Sequence, residues 1–196
     1  MKQERYEMRF SGSGGQGIIT AAVVLAEAVG VYGNRYVCQT QSYGPEARGG
    51  KSKAEIIISD RPIDYPKVIK MDLLLAMNQE SCDAYFFDFK PNGLLVVDSS
   101  LVEQVPTSRA VCIPFTQVAQ AETGQKLAAN MVALGATAFL SGCVAMENLE
   151  TALLARVPPG TEEMNLKALK AGIEAAKKID LRMLPRAISP QDEDEL

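Results

Sequence analysis

Residues 6 to 31 read YEMRFSGSGGQGIITAAVVLAEAVGV, and the fold follows from how this stretch is parsed. Tyr6–Ser11 alternates apolar and polar side chains as a half-buried strand does. Ile18–Val31 is apolar, free of proline and long enough for a helix. Between them, Gly12-Ser13-Gly14-Gly15-Gln16-Gly17 has the G-x-G-x-x-G spacing. Glycines so placed let the chain turn sharply and let backbone N–H groups close on an anion at the positive end of a helix. A tight strand-to-helix turn also uses glycine for steric reasons alone. The motif therefore leaves two readings open, an anion site and a structural turn.

Working outward, Arg35–Thr40 reads as a second strand, Gln41–Gly50 (QSYGPEARGG) as a loop, and Lys53–Ser59 as a third strand ended by Asp60-Arg61-Pro62. The link between the second and third strands is too short for a crossover helix, so that pair is expected to be antiparallel. Asp72–Met77, Leu94–Val97 and Ala110–Ile113 have the unbroken apolar character of fully buried strands. Gln79–Lys90 reads as a helix stopped by Pro91-Asn92-Gly93, and Met164–Ile179 as a helix opened by acids and closed by lysines. The expected fold is α/β and Rossmann-like: a mostly parallel sheet with helices on both faces and one antiparallel strand pair. Residues 1–188 read as a single domain, and the acidic tail 189–196 as disordered.

Composition narrows the chemistry. The chain has 196 residues, 47% of them hydrophobic and 22% charged, with a net charge of −4, so it has ample core and no general pull toward nucleic acid or anionic lipid. It has no histidine, which removes the commonest neutral-pH proton shuttle and metal ligand. Cys38, Cys82, Cys112 and Cys143 lie far apart, without a C-x-x-C pair, and read as reduced core residues rather than metal ligands. The amino-terminal residues are charged, without the apolar core of a signal peptide, and a cytoplasmic location is expected.

Two segments are unusually dry. Ile18–Val31 has only Thr20 and Glu27 as polar residues, and Leu127–Met146 runs twenty residues without a charge. Membrane insertion is not expected of the second, because Gly135, Thr137, Ser141 and Gly142 interrupt it and no aromatic belt flanks it. A helix lying on a sheet normally shows a polar stripe to water. Two dry helices suggest a face covered by another chain, the alternative being burial inside a helix-rich fold.

The glycine loop lacks its usual companions. A dinucleotide-binding unit has Asp or Glu at the end of the second strand to hold the ribose, whereas here the sequence is Arg35-Tyr-Val-Cys-Gln-Thr-Gln41. No Lys-[Ser/Thr] follows Gly17, so the P-loop pattern fails too. Arg48, beside Gly49-Gly50, is a candidate guanidinium for a phosphate or carboxylate at the same sheet edge, or a partner for Glu46.

The set Gly12–Gly17, Gln41-Ser-Tyr-Gly-Pro-Glu-Ala-Arg-Gly-Gly50 and Asn130-Met-Val-Ala-Leu-Gly135 resembles the gamma subunit of the 2-oxoacid:ferredoxin oxidoreductases, the 2-oxoglutarate type most of all. The resemblance implies a complex that oxidatively decarboxylates a 2-oxoacid to an acyl-CoA and passes electrons to ferredoxin. It implies thiamine diphosphate and iron–sulfur clusters on partner subunits (alpha, beta and delta) and a non-catalytic role for this chain. CoA is the ligand it suggests for Gly12, Ser13, Gly14, Gly15, Gln16, Gly17 and Arg48, which are otherwise subunit contacts. The isolated chain is a candidate homodimer. The competing readings are a stand-alone nicotinamide or flavin oxidoreductase and a purely structural assembly module.

Overall fold

The structure is a computed structural model that describes residues 5–43 and 51–185. Its six strands are β1 (Arg5–Ser13), β2 (Tyr36–Tyr43), β3 (Lys51–Ser59), β4 (Met71–Ala76), β5 (Phe89–Asp98) and β6 (Ala110–Ile113), in the sheet order β2-β3-β1-β4-β5-β6. β1, β4, β5 and β6 run parallel. β3 alone runs the other way, antiparallel both to β2, as the short connection predicts, and to β1. The helices are α1 (Ile18–Glu27), α2 (Gln79–Tyr85), α3 (Phe115–Thr123), α4 (Ala129–Ser141), α5 (Met146–Arg156) and α6 (Glu162–Lys177).

Alternation along the strands splits the core in two. Met8, Phe10, Ile56, Ile58, Leu73, Leu75 and Val96 point to one face, where they meet α1, α4 and the helices stacked beyond them. Leu74, Ala76, Leu95 and Val97 point to the other, where Cys82 of α2 covers them. Among the described residues, five α-helices thus lie on one face and one on the other.

The chain itself buries most of the second dry stretch, while Val31 at the end of the first and Leu127 and Phe139 in the second stay exposed. Every residue from Ala129 to Ala138 of α4 is buried. α6 supplies the cover with Asn165, Ala168, Leu169, Gly172, Ile173 and Ala176, a stripe at helical spacing. The two helices touch backbone to backbone: a Cβ on Gly172 would overlap the Val132 carbonyl oxygen, and one on Gly135 the Leu169 carbonyl oxygen. Dryness along Ala129–Ala138 reports internal close packing, so that seam does not argue for a partner. The uncharged stretch is also not one helix, because Gly142, at φ 59°, caps α4 before α5 begins. Among the described residues no helix is long and apolar enough to cross a membrane.

Other boundaries moved for local reasons. The first helix turns π-helical over Ala28–Tyr32 and stops at Gly33. The helix expected over Gln79–Lys90 ends at Tyr85, because Phe89 pairs with Met71 and enters the sheet. Pro91-Asn92-Gly93 then forms a bulge within β5, the register slipping between Met71 and Leu73. Not every cysteine is in the core: Cys82 is buried, Cys112 is exposed on the edge strand β6, and Cys38 and Cys143 are half-buried.

Candidate functional site

β1 delivers the glycine turn to the carboxyl edge of the parallel strands, where open α/β sheets bind ligands. Gly12 to Gly17 lie together on it. Gly15 (φ 90°) and Gly17 (φ 69°) have left-handed backbones that only glycine adopts without strain. Gly12 is a close-approach glycine, since a Cβ there would meet Gln16 Oε1 at 2.5 Å and Met77 Cβ at 3.2 Å. Gly17 faces Asn130, whose Cγ would be 3.1 Å from an added Cβ.

The hollow beneath the turn is filled from within. Gln16 folds back so that its Oε1 accepts the Ser13 N–H at 2.6 Å, while its Nε2 donates to the Met77 carbonyl at 3.2 Å. Asn78 donates through Nδ2 to Ser13 Oγ (2.6 Å) and accepts the Ser81 N–H (2.9 Å), capping α2. Asn130 Nδ2 donates to the Gly17 carbonyl at 3.2 Å. These contacts tie β1, β4, α2 and α4 to one turn. Gln16 was a candidate ligand contact from sequence, and here its carboxamide is spent on the turn.

What stays open is the tip. Gly14 and Gly15 are exposed, and a Cβ on Gly15 would meet nothing within 4 Å. α1 begins at Gly17 without a side-chain cap and without an acid in its first turn. The early amides therefore carry the partial positive charge of the helix end, with no side chain of the turn to offset it. Arg48 lies outside the described residues, as do the tail 189–196 and the proposed domain limit at 188. The register still places the ends of its loop: Lys51 is paired with Ser13, and Tyr43 with Ser52 beside Gly12. Lys51 therefore lies against the glycine turn, while Tyr43 lies one strand further out, on β2.

The same edge holds a cavity of about 390 Å3 lined by Leu101, Thr116, Gln117, Gln120 and Lys126. Beside it, Asp98 is fully buried and spent on structure, accepting the Ser100 N–H at 2.9 Å and the Thr116 N–H at 3.1 Å. On the face opposite α1, Arg9 is buried between Glu55 (2.7 Å), Asp88 (2.9 Å) and the Tyr85 ring, 4.8 Å from its centroid. This charge cluster holds β1, β3 and the end of α2 together. Burial pushes the Cys82 thiol up to about 11 and raises that of Cys143, and partial desolvation on the edge strand raises that of Cys112. Among the described residues no three His, Cys, Asp or Glu side chains are grouped to hold a metal ion.

Asn78 and Met77 were missed from sequence. Asn78 carried a signal, an Asx residue directly before a helix; the Met77 carbonyl carried none. Asn130, an amide in an uncharged helix, is explained by its reach to Gly17.

Residues 7–175 match the family described as pyruvate ferredoxin/flavodoxin oxidoreductase. The chain is 49% identical over 179 residues to the 2-oxoglutarate synthase subunit KorC of Methanocaldococcus jannaschii, covering 89% of this chain and 96% of that one. Among solved structures it is similar to the gamma subunit of the keto/oxoacid ferredoxin oxidoreductase from Geobacter sulfurreducens, with TM-score 0.82 and 46% identity over 90% of this chain and 98% of that one. It also shares a fold (TM-score 0.80, 22% identity, 97% of this chain and 34% of that one) with 2-oxoglutarate:ferredoxin oxidoreductase from Magnetococcus marinus, solved with 2-oxoglutarate, coenzyme A and succinyl-CoA bound.

Proposed function

The chain belongs to the pyruvate ferredoxin/flavodoxin oxidoreductase family, and from that premise we propose that it is the gamma-type subunit of a 2-oxoglutarate:ferredoxin oxidoreductase. The observation that carries the reading is end-to-end likeness: 96% of a separate KorC subunit is matched at 49% identity. The role is structural and ligand-presenting. Partner subunits of alpha, beta and delta type hold thiamine diphosphate and the iron–sulfur clusters, and ferredoxin is reached through them. A stand-alone nicotinamide enzyme is disfavoured by the ribose-binding acid missing from Arg35–Gln41.

Within that complex the glycine turn and Arg48 contact CoA phosphates. The uncapped, acid-free start of α1 and the open Gly14–Gly15 tip fit an anion there, and Lys51, two residues after Gly49, pairs with Ser13 of the same turn. The purely structural reading is supported by a different observation, the Gln16 carboxamide filling the turn.

The test is reconstitution of the complex with and without this chain, following CoA- and 2-oxoglutarate-dependent reduction of ferredoxin. The chain alone should show no turnover, and omitting it should abolish activity or assembly. Arg48→Ala should raise the KM for CoA with kcat little changed. An Arg48→Ala complex that fails only to assemble would assign the loop to a subunit contact. Full activity without the chain would refute the subunit role.

A further inference from the structure

The opposite edge of the sheet holds a cavity for which the proposed function has no use. About 350 Å3 in volume, it lies at the amino ends of β5 and β6, and its walls include Phe86, Phe87, Phe89, Leu95, Ser108 and Arg109. The apolar side is aromatic. Phe86 and Phe87 stand edge to face at 4.9 Å, and Phe87 is left 81% exposed.

The polar side is a charge with no opposite among the described residues. Arg109 is half-buried; its Nε donates to the Asn92 carbonyl at 3.4 Å and its Nη1 to the Pro185 carbonyl at 2.9 Å. A guanidinium has five N–H donors, so most of its fork remains unused. Among the described residues no carboxylate pairs with it. Lys90, on the same wall, is already neutralised by Asp72 at 2.6 Å. A partly desolvated cation without a counterion is unfavourable, and a carboxylate gripped in two-point fashion relieves it.

We propose that this cavity binds an apolar monocarboxylate, an arylalkanoic or branched-chain acid. Its carboxylate is forked on Arg109 and its body lies against Phe86, Phe87 and Phe89. One guanidinium matches one negative charge, whereas a phosphate dianion would bring a second, and among the described residues of the wall the other cation, Lys90, is already paired. The volume is near the small end of ligand pockets, suited to a single-ring acid rather than a nucleotide. Because the site opens at the edge opposite the glycine turn, its ligand acts as an effector or a stabiliser and takes no part in chemistry at Gly12–Gly17.

The test is calorimetric titration of the full chain with hydrocinnamate and with its neutral isostere hydrocinnamamide. The acid should bind saturably and the amide at least tenfold more weakly. Arg109→Gln should bring the acid down to the amide's level, and Phe87→Ala should weaken both. The comparison of acid with amide on the unaltered chain stands even if Arg109→Gln fails to fold. Equal affinity for acid and amide, undiminished acid binding by a folded Arg109→Gln, or no saturable binding of either overturns the proposal. Acid binding that appears only after removal of residues 189–196 would assign the cavity to the chain's own acidic tail and overturn it as well.

Discussion

Gly172→Ala pits local propensity against packing, and packing should win. On an isolated helix the change stabilises by about 1 kcal/mol. In the folded chain the new Cβ would stand 2.7 Å from the Val132 carbonyl carbon and 3.0 Å from the Ala136 nitrogen, with the carbonyl oxygen of Val132 nearer still. Ordinary contact begins at 3.4 Å, so α4 and α6 must part by at least the 0.7 Å difference. A gap of that size forfeits about a quarter to a half of each dispersion contact along the seam. The obstruction is backbone on both sides and has no rotamer to turn away. The cost therefore sits near the upper end of overpacking, about 3 kcal/mol, leaving a net loss of about 2 kcal/mol. For a chain of this length that lowers Tm by about 4–8 °C, measurable by calorimetry or circular dichroism. A Gly172→Ala protein that melts higher than the parent would refute the close-packing account.

The double variant Gly135→Ala/Gly172→Ala should cost clearly less than the sum of the singles in urea unfolding, since one separation of α4 from α6 relieves both overlaps. Arg9→Met should destabilise by up to about 3 kcal/mol, because it leaves the half-buried Glu55 carboxylate only its longer pair with Lys53, whereas Arg35→Ala, which breaks a more exposed pair with Asp60, should cost under about 1 kcal/mol. Gly17→Ala combines a positive φ with a collision at Asn130 and should destabilise more than Gly15→Ala, which has the same kind of backbone but open space; thermal melts of the pair check it. Burial lifts the Cys82 thiol from 9.0 to about 11, so between those pH values the unfolded chain releases a proton that the native one keeps. Stability should be fully present below pH 9 and decline toward pH 11; an equally steep decline in Cys82→Ala would show that this thiol is not responsible.

Much of this was legible because the signals were local. Strand, glycine turn and helix over residues 6–31, the buried strands and the antiparallel β2–β3 pair all follow from periodicity and loop length. The errors came from long-range contacts. Nothing in Leu127–Met146 says that its dryness is met by Gly172 some forty residues on, and nothing before Pro91 says that Phe89 will pair with Met71. At the site, the glycines announced the turn, but the plug supplied by Gln16 depends on a carbonyl sixty-one residues away, at Met77. That Arg109 meets no carboxylate among the described residues is equally invisible in sequence, since it is defined by which side chains fail to reach it.

The position of β1 between β3 and β4 bears on how the chain emerges from a ribosome. The first strand to be made is an interior one, and it waits for residues up to Ala76 before both of its edges are paired. The helix α4 waits longer, until the α6 stripe ending at Ala176 has been made. A nascent chain stopped before Glu162 would therefore expose the whole α4 seam, which is apolar and shaped only for one neighbour. Such a chain has no stable halfway point: folding is deferred until α6 has been made, and truncation from the carboxyl side should yield aggregates rather than smaller folded units.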